Sequence, residues 1–131
     1  MKKLSGLFIV LIIAVSALLT GCKDNPVNAS VSGNWDIYFT GDYTGTGKIN
    51  IANDGTFSSE TFTLQLANGG QTRNFKLRGG LNATNNVTNG KFTEGNNEVG
   101  DFNGTFIPGG TGSGTYTLLS GQTGSWTAAK M

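Results

Sequence analysis

The chain has 131 residues, 37% hydrophobic and only 13% charged, with a formal net charge of +1, one cysteine and no histidine. That is one domain's worth of chain. Histidine-dependent nucleophilic triads and the usual zinc sites are excluded, as is any intramolecular disulfide. The scattered Lys and Arg form no basic stripe, so nucleic acid is not an expected partner.

Residues 1–21 have the layout of an export signal. Lys2 and Lys3 precede the apolar run Leu4–Leu19, which is unbroken from Leu7 to Ile13. The run is shorter than the roughly 20 residues that span a bilayer comfortably. It ends in Leu19-Thr20-Gly21-Cys22. This tetrapeptide resembles the lipobox of bacterial lipoproteins. The resemblance implies cleavage between Gly21 and Cys22 and a diacylglyceryl thioether on Cys22, often with a further acyl chain such as palmitate on its amine. Two or three chains hold firmly, at about 0.8 kcal/mol per buried methylene. The alternative is an uncleaved membrane helix. In the family an aspartate after the cysteine retains the protein at the inner membrane. Here Lys23 follows, so the expected address is the cell envelope, at the outer membrane. Residues 22–32 read as the lipidated cysteine and a flexible tether.

Residues 33–131 read as an all-β domain. Gly, Asn, Thr and Ser dominate, yet aromatic residues recur at intervals, which disorder would lack. In Gly33–Thr40, Trp35, Ile37 and Phe39 share one face, a period of two. Ile49 and Ile51 alternate inward next. Asn53-Asp54-Gly55 predicts a type I′ hairpin turn. Phe57 opens a strand, but Phe62, Leu64 and Leu66 have the opposite parity, so a bulge or break is expected near Ser58 to Glu60. After Asn68-Gly69-Gly70, Phe75 and Leu77 point inward, and Gly79-Gly80 bends the strand. Leu81, Ala83 and Val87 alternate weakly. Asn89-Gly90 is read as another turn before Phe92. Phe102, Gly104 and Phe106 share a face, Pro108-Gly109-Gly110 turns the chain, and Tyr116 with Leu118 and then Trp126 with Ala128 complete the core.

About eight short strands with short connections predict an antiparallel meander that closes into an up-and-down barrel. Gly33-Asn34-Trp35 near its start resembles the G-x-W that opens the first strand of lipocalins and other calycins. The resemblance implies that Trp35 packs across one end of the barrel. The family's stacking arginine on the last strand is missing, with only Lys130 in its place, and so is its terminal helix.

The candidate core or ligand-lining residues are Trp35, Phe39, Phe75, Phe106 and Trp126. They support two readings: a barrel with a filled interior whose outer face or loops meet an envelope protein or polymer, or a carrier enclosing a small apolar ligand. An eight-stranded barrel has room for either. The inward bulk favours the filled interior, which would turn attention to Tyr38, Tyr43 and the loops as exposed contact points. No enzyme, metal or cofactor is expected. Asp36, Asp42, Asp54, Glu60, Glu94, Glu98 and Asp101 fall mostly at turns and outward positions, where a carboxylate is simply solvated. Gly109–Gly114 precedes a strand, not the helix that a phosphate loop requires.

Overall fold

A computed structural model describes residues 31–131. The signal segment, the Gly21–Cys22 cleavage point and most of the tether lie outside the described residues. Within them there is no helix. Nine strands follow in order: β1 (Gly33–Gly41), β2 (Tyr43–Ile51), β3 (Thr56–Ser59), β4 (Phe62–Leu66), β5 (Thr72–Leu81), β6 (Val87–Glu94), β7 (Asn97–Ile107), β8 (Thr111–Leu118) and β9 (Thr123–Lys130). Each pairs antiparallel with its neighbours, and β1 pairs with β9 from Trp35↔Lys130 to Gly41↔Gly124. The meander therefore closes and leaves no free first or last edge.

The barrel has eight staves because β3 and β4 together form one. β3 pairs with β2 at Ile49–Ile51 and with β5 at Arg78–Gly80. β4 pairs with the same two strands further along, at Tyr43–Gly45 and Thr72–Phe75. Between the two pairings the interrupted stave carries one residue more than either neighbour. Glu60 and Thr61 absorb it. That extra residue turns both Phe57 and Phe62 inward, which strict alternation forbids. The expected break is present.

Two of the expected turns take another form. At Asn53-Asp54-Gly55 only Gly55 has positive φ (90°), so the turn is not type I′. Gly55 N–H donates to the Ala52 carbonyl and Ala52 N–H to the Thr56 carbonyl, the longer hairpin loop that ends in a left-handed glycine. Asn89-Gly90 is no turn at all. It lies inside β6, where the pairing with β5 slips between Arg78 and Gly80. The chain reverses at Asn82–Asn86 instead. There the Asn82 side-chain oxygen accepts from Thr84 and Asn86 N–H, and Ala83 is exposed in this loop rather than inward.

The core is aromatic. Every ring among the described residues except Tyr38 joins one contact network. Phe92 is its hub, with Phe75 at 5.4 Å, Phe39 and Tyr116 at 5.7 Å, Phe102 at 6.1 Å and Phe62 at 6.3 Å. Phe39 stacks on Phe62 with 6° between planes, and Trp126 stacks on Phe102 at 4.4 Å. Edge-to-face and offset pairs of this kind contribute about 0.5–1.5 kcal/mol each beyond area burial.

Candidate functional site

The five residues read as core or ligand-lining are all buried inside the barrel. Trp35, Phe106 and Trp126 form a chain of rings toward the end where β1 begins, with centroid separations of 5.0 and 5.2 Å. Phe39 and Phe75 flank Phe92 in the other half. The polar atoms of the two indoles and of Tyr116 are turned to the wall. Trp35 Nε1 donates to the Val31 carbonyl at 2.7 Å and Trp126 Nε1 to the Asn103 carbonyl at 2.9 Å. The Tyr116 hydroxyl accepts from Tyr43 N–H at 3.0 Å and lies 2.8 and 2.9 Å from the Thr40 and Tyr43 carbonyls, to which it can donate. Burial raises the Tyr116 pKa above the ordinary phenol value. Val31, placed in the tether by the sequence reading, is fully buried beside Trp35.

At the opposite end Arg73 covers the core. Its guanidinium lies 5.0 Å from the centre of the Phe75 ring and 6.0 Å from that of Tyr43. Glu94 holds it bidentately, at 3.0 and 2.9 Å, and Ser120 Oγ accepts from it at 3.2 Å. The hydrogen bonds from Arg73 hold the Glu94 carboxyl below its usual range, and those to Glu94 make Arg73 keep its proton more firmly. Sequence reasoning passed over this cap, although Arg73 has the same parity as Phe75 and Leu77. Tyr43, read as exposed, is buried beneath it.

The outer wall divides into two sectors. On β5, β6 and β7 it is charged: Arg78 pairs with Glu98, and Lys91 reaches Asp101 at 2.6 Å. The hydrogen bond to Asp101 raises the Lys91 pKa. These exposed pairs add little to stability. From β7 through β8, β9 and β1 to β2 the middle of the wall is uncharged and rich in hydroxyls. One cross-strand row runs Thr105, Ser113, Thr127, Tyr38, Thr46, and the next Asn103, Thr115, Ser125, with Thr40 beside them. Threonine suits a strand, and its hydroxyl can both donate and accept. Tyr38 is the one exposed aromatic among the described residues, with 45% of its surface open amid these hydroxyls.

Where the β3–β4 stave is interrupted, two open grooves meet at Lys48 and Glu60. One, of about 370 Å³, is lined by Asn34, Asn50, Ser58 and Met131, among others. The other, of about 240 Å³, is lined by Asp36, Gly47 and Phe62. Among the described residues no three His, Cys, Asp or Glu side chains gather as metal ligands.

No protein-family model matches this chain, and no curated protein matches it in sequence.

Proposed function

We propose that this is a lipid-anchored envelope lipoprotein whose barrel is an interaction module, with a filled interior and a working exterior. Residues 1–21 direct export, acylated Cys22 is the anchor, and residues 33–131 are the module presented at the outer membrane. The observation that carries the reading is the distribution of chemistry. Interlocked rings occupy the inside, and their polar atoms are committed to the wall. The groups left for recognition are outside: Tyr38, the hydroxyl rows around it and the solvated ends.

Such a surface suits an uncharged, hydroxyl-bearing envelope polymer. The ring of Tyr38 offers an apolar platform, and the threonines exchange hydrogen bonds without a charge to neutralise. The test is co-sedimentation of the full chain with isolated envelope polymer, for the native protein and for Tyr38→Ala. Loss of binding in the variant supports the reading. Equal binding by both removes Tyr38 from it. Stoichiometric uptake of an apolar fluorophore that quenches Trp35 or Trp126 would instead favour a small-ligand carrier, whose interior rings must then move apart.

A further inference from the structure

We propose that the barrel stands on the lipid bilayer through one side of its lower rim, where Ile107, Pro108, Ala129 and Met131 are exposed together. The proposal rests on the lipoprotein reading and deepens it by naming the surface that meets the lipid. Ile107 and Met131 are 51% and 65% exposed. They are neighbours through the sheet: Ile107 pairs with Thr111, and Thr111 pairs with Ala129, two residues before Met131. Lys130 N–H donates to the Gly110 carbonyl and Met131 N–H to the Asn34 carbonyl. The β7–β8 turn, the end of β9 and the start of β1 are thus tied into one rigid corner.

The position of this corner identifies its occupant. Residues 1–30 join the described domain at the same end of the barrel. Gly33 starts β1 there, and buried Val31 is fastened to Trp35 by the indole hydrogen bond. The stretch from Cys22 to Val31 reaches at most about 30 Å even when fully extended, at roughly 3.3–3.6 Å per residue. An acylated Cys22 therefore keeps this rim close to the bilayer. The far end, up to about 30 Å further along a nine-residue strand, carries the Arg73–Glu94–Ser120 cap and has Leu119 as its one exposed large apolar side chain. Along the rim row Asp36 lies 3.8 Å from Lys48 and is paired with it, and the groove that Met131 lines also holds Lys48 and Glu60. Exposed apolar side chains at the bilayer boundary gain by leaving water, and a second weak contact beside a lipid anchor acts at high effective concentration. The result is a barrel held at a set tilt.

The test uses the full acylated protein in vesicles of phosphatidylethanolamine and phosphatidylglycerol. Cys22 is the only cysteine, so once acylated it leaves an introduced thiol as the single labelling site. A bimane is placed on Thr111→Cys beside Ile107, or on Leu119→Cys at the far end, and quenched by spin-labelled lipid. Several-fold stronger quenching at position 111 than at 119, abolished by adding Ile107→Asp, is the expected result. Equal quenching at both positions in protein that floats with the vesicles overturns the proposal and leaves the anchor standing. A label at 111 shielded from both lipid and aqueous quenchers means that a second copy covers the corner, and also overturns it. Protein that fails to float with the vesicles removes the lipoprotein reading, and this inference with it.

Discussion

A β-carbon on Gly124 would stand 2.5 Å from the hydroxyl of Tyr116 and would also run into the Thr40 carbonyl. The absence of a side chain at Gly124 is what lets the phenol of Tyr116 cross β9 to the β1–β2 corner. Gly124→Ala is expected to displace that hydroxyl and destabilise the fold by about 2 kcal/mol, within the usual range for a mutation that forces backbone apart. Tyr116→Phe keeps the ring contacts and loses the hydrogen bonds, at about 1–3 kcal/mol. Thermal unfolding measures both, at about 4–8 °C per kcal/mol for a domain of this size.

The same tyrosine gives the barrel an alkaline limit. Its folded pKa is raised, so the folded state holds the phenol proton more tightly than the unfolded chain does. The stability it contributes is complete below the unfolded value of about 10 and is lost as pH rises through the folded one. Native protein should lose stability above about pH 10, with a smaller loss in Tyr116→Phe. Chemical denaturation at pH 8 and at higher pH compares them. Identical slopes in the two proteins would assign the alkaline limit to other groups.

Phe92 holds the two halves of the core together, so Phe92→Ala should rank with Trp35→Ala among the most damaging substitutions. Each is expected to cost about 3–5 kcal/mol. Denaturant midpoints give the comparison. A Trp35→Ala midpoint close to the native one would mean that the indole is not packed as described.

Glu94 titrates below its ordinary value because Arg73 bonds it. A depressed carboxyl contributes stability above its unfolded pKa, near 4.3, and loses that contribution as pH falls through the folded value. Glu94→Gln should flatten the acid limb of the stability curve. At neutral pH it should cost less than about 1 kcal/mol, because the pair is partly solvated. Urea unfolding across the acid range reads this out.

Cys22→Ser should leave the barrel folded and move the protein from the membrane fraction to the soluble envelope fraction. Circular dichroism of the variant should remain that of β-sheet. Recovery of the variant in the membrane pellet would point to an uncleaved apolar segment as the anchor.

The inward set was largely readable because alternation is a local property. Trp35, Ile37 and Phe39, Phe62 and Leu64, and Phe75 and Leu77 all stand where their parity places them. Even the interrupted stave announced itself through the mismatch between Phe57 and Phe62. Tyr43 was hidden for a physical reason. It shares a face with Gly45 and Gly47, which have no side chains to mark the alternation, and Leu64 and Phe62 pack into the space those glycines leave. Arg73 was hidden by its charge. A guanidinium on an inward parity makes sense only once Phe75, Tyr43 and Glu94 are gathered around it at the mouth of the barrel.

Local pattern alone, then, specified a run of short strands and the list of side chains that turn away from water. Such features depend on residues a few positions apart. The pairing of Trp35 with Lys130, the meeting of five rings at Phe92 and the collection of Ile107, Ala129 and Met131 on one corner depend on strands distant in the chain. Their register comes from closing the sheet on itself, and no stretch of the sequence carries that information by itself.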